Sequence, residues 1–532
     1  ENVDVKGKLV LTTGLPHRIH DIAVRKFGAA GIVLDTMTEF LPFRRREDMM
    51  DAVLYLSYWW HDEEETGFGF MVSPRRGEQL KKLCAQGPVK VFARVDAELY
   101  PGEMENIEAF IPGETEEEVL LVSHLCHPKP GANDNASGPS TLLETARSLQ
   151  KLIADGTLPK PRRGIRFLMM PEMTGTHAYV HMHPERIKRT VAALNLDMVG
   201  GDQRKTSGPL TVEKPSRAMP SYVAELAYGI FDEVAQDVKN FTGTQGYSQT
   251  NYVLTAFSGG SDHYILADPS VGIPCPMMIT WPDKTYHTSI DTVENIDPKL
   301  MEKVAVTAGA YLTFLANAEL PDLLMLAGRM SAHFAAEMER QVGAYVDGKA
   351  SLSVALARLQ FLQERQEADL RALERLVPPA QVEAWQEQLG KKLALLAAHG
   401  KDVADQLHTL AAAGVTGQVE PNGAGDATEA AEASAQDPLL QNVFVRRNPG
   451  PIDLLSHMSK LPEDERADFI AKAPKAGALH SVMVLLQYWL DGKRTLQEAI
   501  HAVEMEAGLK DVPNTLEYVR LLLKLELLEE VK

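Results

Sequence analysis

Cysteine, basic charge and long apolar runs are all scarce in this 532-residue chain. Three cysteines (Cys84, Cys126, Cys275) are too few for a disulfide framework, so a reducing compartment, the cytoplasm, is the expected home. Lys and Arg number 54 against 73 Asp and Glu, a formal net charge of −19. Phosphate backbones need a basic face, so nucleic acid is not an expected partner. No apolar stretch approaches the roughly 20 residues of a membrane span, which argues against a membrane partner. No charged-then-apolar leader opens the sequence. It begins at Glu1 rather than Met, however, so secretion stays open.

What is present is the composition of a globular protein, 45% hydrophobic and 24% charged, at a length that implies two to four domains. Residues 1–95 alternate short strands with turns and one helical pattern. Val5–Leu11 is a turn and strand, Ile22–Phe27 is helical with Gly28 as a cap, and Gly31–Leu34 is a second strand. With "FGFMVSPRRGEQLKKL" at Phe68–Leu83, the order of these pieces resembles the protease-associated domain, a β-rich module. Such modules carry no catalytic residues, so Trp59-Trp60-His61 reads as packing or a channel wall and Asp62–Glu65 as a solvated loop.

From Val89 to Gly113 two strands joined by a polar turn are expected. Strand patterns at Val119–Val122, Ile165–Met170, Thr190–Met198 and Cys275–Ile279 then alternate with helical ones from Pro139, over Tyr222–Asp237 and over Pro298–Asn317. That alternation predicts an α/β domain over 96–318 with a mainly parallel sheet covered on both faces. Residues 322–413, rich in Ala, Leu, Glu, Arg and Gln, predict two or three long helices. These helices could support a homo-oligomer or pack on their own catalytic domain. Residues 415–438 carry five acidic side chains and no basic one and read as a flexible linker. Residues 441–532 predict a small helical domain compatible with a winged helix. From Phe444 it holds 12 Lys/Arg against 14 Asp/Glu, which favours protein contact over DNA.

The chemistry lies in 96–318. The run Val119–Val122 stops at His124, with His127 close behind, and a Gly/Asn/Asp loop bearing Asp134 opens the next helix. Glu172 follows the strand Ile165–Met170, Asp197 stands in "LNLDMVGGD", and His287 in "TYHTSIDT". Ligands presented beyond the carboxyl ends of strands are how α/β enzymes build sites. Mixed His and carboxylate donors suit Zn²⁺ at an open catalytic position. Two ions sharing one carboxylate would hold both the attacking water and the scissile carbonyl, and a carboxylate serves as general base.

The motifs "SHLCHP…GANDNASG", "NLDMVGG", "GGSDHYIL" and "YHTSIDTVENID" resemble, in family order over some 220 residues, the zinc aminopeptidases related to bacterial leucyl aminopeptidase, aminopeptidase Y and glutamate carboxypeptidase II. That family often carries a protease-associated domain. The resemblance implies one or two Zn²⁺ per chain and a peptide substrate cut at its N-terminus. His124 would bind one zinc, Asp134 would bridge two, Asp197 would complete the first site and His287 the second. Asp262 and His263 would orient ligands or face substrate. His177, His181 and His183 read as surface or helix-face residues.

Two departures bear on the chemistry. The family reads His-x-Asp where this chain has His124-Leu125-Cys126, so His127 either replaces the missing carboxylate or is itself a ligand. The family also places two adjacent glutamates after the third strand, one the base and one a ligand, where this chain has Pro171-Glu172. Glu172 is then either base or ligand, with a slight preference for base. Beside the aminopeptidase reading stand other zinc chemistry on the same fold, of carboxypeptidase or glutaminyl cyclase type, and a non-catalytic scaffold.

Overall fold

The structure is a computed structural model that describes residues 4–56, 67–98, 100–127, 129–415, 436–462, 465 and 478–531. Trp59–Glu65 and most of the expected linker at 415–438 lie outside these residues.

The N-terminal unit holds three parallel strands, β1 (Leu9–Thr12), β2 (Gly31–Leu34) and β3 (Gly69–Met71). A helical stretch, Pro16–His20 continued by Asp21–Lys26, links β1 to β2, and helix Pro74–Gln86 follows β3. Gly28 ends the first with φ +71°, the left-handed position a Cβ would disfavour. The described part of this unit is therefore α/β, not β-rich: its strands are parallel, and parallel strands need crossovers, which here are helical.

Across 88–113 only β4 (Ile107–Ile111) forms, in place of the two expected strands. Upstream, Val89, Val91, Phe92, Val95 and Tyr100 are all exposed, so the apolar residues of that stretch are not buried against the sheet. The central sheet adds β5 (Glu118–His124), β6 (Gly164–Met170), β7 (Thr190–Leu196) and β8 (Leu210–Glu213). A two-strand ribbon, β9 (Val238–Lys239) and β10 (Gly246–Tyr247), precedes β11 (Tyr252–Thr255) and β12 (Met277–Thr280). Its order is β11-β8-β12-β7-β5-β6-β4, with β4/β6 and β8/β12 antiparallel and the other pairs parallel.

All seven residues of β5 are buried, and its apolar residues divide between two layers. Val119 and Leu121 join the core under helices Gly138–Ala154, Val223–Ala235 and Pro298–Asn317, while Leu120 and Val122 pack with Tyr179, Ile187 and Ile265 on the other face. A near-continuous apolar run is what a strand covered on both sides requires. Helix Pro298–Asn317 starts where expected, because Asp297 accepts the Lys299 N–H at 2.9 Å and proline fits the first turn.

Three helices, Leu320–Val346, Leu352–Ala372 and Val382–Ala412, fill the expected helical region. Their buried Phe334, Leu359 and Trp385 continue the core of the central sheet, so their apolar faces are covered within the chain. The C-terminal unit adds to its helices Ala478–Trp489, Leu496–Ala507 and Val512–Lys524 a sheet of β13 (Val443–Arg446), β14 (Asp491–Thr495) and β15 (Leu528–Val531) in order β14-β13-β15, antiparallel. It docks on the domain of the central sheet through Arg446, which grips the fully buried Asp268.

Candidate metal centre

Four strands deliver the site at one edge of the sheet. His124 is the last residue of β5, Glu172 follows β6 by two residues, Asp197 follows β7 by one, and His287 sits in the loop after β12. These four strands are parallel neighbours, so their carboxyl ends converge. The loop after β5 supplies His127 and Asp134. Its close turn depends on Gly138, where a Cβ would stand 2.3 Å from the Ser123 Oγ.

Two trios of potential ligands result, each with its donor atoms within 4.8 Å of one another: His124, Glu172 and Asp197, and His127, Asp134 and His287. Asp134 straddles them. Its Oδ1 is 3.6 Å from His124 Nε2, while its Oδ2 is 3.5 Å from His127 Nε2 and 3.2 Å from His287 Nε2. Asp197 Oδ1 is 3.2 Å from His124 Nε2. Glu172 thus stands among the potential ligands. Proline in the preceding position leaves no second glutamate beside it.

The missing carboxylate of the His-x-Asp pattern is replaced by backbone: the Cys126 carbonyl lies 3.3 Å from His124 Nδ1. A proton on Nδ1 leaves Nε2 free to bind a cation. His127 turns Nδ1 to the Lys129 carbonyl in the same way, and its buried Nε2, 3.5 Å from Asp134 Oδ2, has no hydrogen-bond partner among the described residues. Cys126 Sγ accepts the Glu172 N–H at 3.1 Å.

Further contacts hold the ligand loops. Asp291 accepts the N–H groups of Asn133 and Asp134, both at 2.9 Å. Asn135 donates to the His124 carbonyl and accepts the Met198 N–H, joining the ends of β5 and β7. Asp262 accepts the Met173 N–H at 2.8 Å and the Thr176 hydroxyl, fixing the turn that carries Glu172. His263 faces the other way, onto Glu213 at 2.8 Å, and takes no part in the trios. His177, His181 and His183 also stand outside them.

The N-terminal unit closes over the second trio. Tyr55 N–H bonds the His287 carbonyl at 2.6 Å, Ser289 N–H bonds Val53, and the buried Arg44 donates to the Tyr286 carbonyl at 2.7 Å. The Tyr55 ring lies 4.9 Å from both the His127 and the His287 rings. Met173, Met198 and His287 adopt left-handed φ of 58°, 51° and 55°, strain gathered beside the ligands.

The electrostatics are those of crowded, buried donors. Burial pushes the Glu172 carboxyl well above its usual range, and Asp197, Asp262 and Asp134 add to the push. Burial acts the same way on Asp134, but the imidazoles of His127 and His287 prevail and hold it below the usual carboxylate range. His124 is held well above its ordinary value, because the Asp197 carboxylate outweighs the opposing effect of burial. The orphaned His127 Nε2 and three converging carboxylates fit divalent cations bound through nitrogen and oxygen.

Tyr55, Asp291, Asn133 and Asn135 were not assigned roles by sequence reasoning. Asn133, Asn135 and Asp291 lie inside motifs that stood out, so proximity to the ligands was the available signal. Tyr55 had none, since only folding brings it to His287.

Fold and site together define an α/β protein with paired His/carboxylate clusters, a candidate cation site, at the carboxyl edge of its sheet. Residues 106–312 match the model of peptidase family M28. The chain is similar to a Clostridium acetobutylicum protein whose name couples polysaccharide biosynthesis to an aminopeptidase-like domain, 26% identical over 46% of this chain and 48% of that one. It is 30% identical to Bacillus subtilis aminopeptidase YwaD, over 34% of this chain and 37% of that protein. Among solved structures, a zinc aminopeptidase from Bacillus subtilis is 23% identical, covering 58% of this chain and 70% of that one at a TM-score of 0.39. The chain thus spans about half or less of the length of these two curated relatives. Among the described residues, no helix is long and apolar enough to cross a membrane.

Proposed function

We propose that the chain is a zinc-dependent aminopeptidase with two ions per chain. The observation that carries this reading is the pair of trios straddled by Asp134. His124, Glu172 and Asp197 would hold one zinc, His127 and His287 the other, and Asp134 would bridge. Zinc bound there supplies Lewis-acid polarisation of a carbonyl oxygen and a water acidic enough to attack it.

The chain's residues do the rest. Three carboxylates, Asp134, Glu172 and Asp197, would offset most of the charge of two zinc ions. Tyr55 and Tyr286 wall the site beside His287 and narrow the space around a substrate. The N-terminal unit, which closes over His287, would limit access to short peptides. The C-terminal unit, docked through Arg446, would buttress the segment carrying Asp262. Glu172 serves as a ligand in this reading rather than as the base, because its carboxylate stands with His124 and Asp197.

The test measures zinc per chain and hydrolysis of leucine p-nitroanilide, free and N-acetylated, in the wild type and in Glu172→Gln. Expected are two zinc ions in the wild type, cleavage of the free amine only, and loss of one ion with activity in the variant. Full zinc with lost turnover in the variant would make Glu172 the base. A single zinc with cyclisation of N-terminal glutamine and no hydrolysis would move the chain to cyclase chemistry. No zinc and no hydrolysis would leave a scaffold.

A further inference from the structure

A cavity of about 440 Å³ lies where the central sheet, helices Leu320–Val346 and Leu352–Ala372 and the C-terminal helix Leu496–Ala507 meet. That volume is in the range of small-ligand sites. Its walls carry Lys214, Arg217, Arg340 and Arg358 against two carboxylates, Glu337 and Glu506. In a chain with 54 cationic and 73 acidic residues, a cavity with that ratio reversed stands out.

The acidic lining is already engaged. Glu337 pairs with Arg217 at 2.6 Å and Lys214 at 3.2 Å. Glu506 accepts the Arg217 N–H at 2.8 Å and the Trp489 indole N–H at 2.9 Å, and burial pushes its carboxyl up, toward the neutral form. Two guanidiniums remain. Arg358 Nε is buried and has no hydrogen-bond partner among the described residues, and Arg340 comes no closer than 3.8 Å to Glu337. A buried donor of this kind without an acceptor is costly unless something fills the role. The remaining wall includes the apolar side chains Leu254, Phe257, Phe361 and Leu362.

We infer that this cavity binds a small organic anion, a carboxylate or phosphate ester joined to an apolar group. Arg358 and Arg340 would receive the anion in the fork geometry that guanidinium offers to such groups, and Phe361 and Leu362 would cover the apolar part. The site is distinct from the metal centre. It approaches that centre's surroundings through Phe257, whose ring packs edge-on at 5.9 Å against His263, the neighbour of Asp262.

The probes are phenyl phosphate, benzoate and inorganic phosphate, titrated calorimetrically at millimolar concentration into the full zinc-loaded chain. Arg340→Gln/Arg358→Gln removes the anion's partners, and Leu362→Trp fills the cavity while keeping both arginines. Melting temperatures check that each variant folds, and hydrolysis of leucine p-nitroanilide checks the metal centre. Phenyl phosphate or benzoate is expected to bind the wild type and to weaken at least about ten-fold in each variant with hydrolysis intact. Preference for one over the other tells phosphate ester from carboxylate. Inorganic phosphate binding as tightly as phenyl phosphate would overturn the apolar half of the assignment. Binding unchanged in both variants would place the anion elsewhere, at the metals for instance, and overturn it, as would no binding of any probe.

Discussion

Replacing Arg446 with methionine tests how the C-terminal unit is held. The guanidinium lies against the Asp268 carboxylate, with side chains 3% and 0% exposed, and its Nη2 is 2.6 Å from Oδ1. Nη1 bonds the other carboxylate oxygen and, at 2.7 Å, the Gly450 carbonyl. Methionine fills much of the arginine's volume but leaves a buried carboxylate without its cation, for which the usual cost is about 3–5 kcal/mol. Asp268 keeps the Ser270 N–H at 2.8 Å and the Ser270 hydroxyl at 2.7 Å, so the cost falls toward the lower end, about 3 kcal/mol. Adding Asp268→Asn removes the orphaned charge and is expected to restore at least about 1 kcal/mol. The assay is urea unfolding followed by tryptophan fluorescence in a background where Trp489, 2% exposed in the C-terminal core, is the one of five tryptophans not replaced by phenylalanine. A shift in Arg446→Met below about 0.5 kcal/mol, the size of ordinary surface changes, would refute the reasoning. So would a double variant less stable than the single one.

Three further outcomes are expected. Burial raises the Asp369 carboxyl to about 7, so its ionisation opposes folding: stability is full below the unfolded pKa near 4 and is lost as pH rises to about 7. Asp369→Asn keeps an acceptor for the Ser221 N–H and should gain on the wild type between pH 4 and 7, by up to about 4 kcal/mol, measured as the difference in unfolding free energy across that range. Tyr55→Ala removes the ring packed on His127 and His287 and should weaken one of two zinc ions about 10- to 100-fold in chelator competition, leaving the other unchanged. Asp291→Ala frees the Asn133 and Asp134 N–H groups and should lower zinc affinity by a similar factor, about 10- to 100-fold, by the same measurement.

The α/β architecture and most of the candidate ligands could be read from sequence because both are local. Buried parallel strands leave continuous apolar runs such as Val119–Val122, and ligands at their carboxyl ends follow immediately in the chain, as His124 follows β5 and Asp197 follows β7. Helix Pro298–Asn317 carries its own start signal in Asp297-Pro298. Tertiary structure alone decided the rest. Which carboxylate oxygen faces which histidine depends on distances across four strands, so the grouping of Glu172 with His124 and Asp197, and of His127 with His287, left no trace in spacing. The carbonyl of Cys126 could replace a side-chain carboxylate because every residue has a carbonyl, and sequence does not say where it points. Tyr55 over His287 and Arg358 in its cavity are non-local for the same reason: a side chain's chemistry is written in the chain, but its partners are chosen by packing.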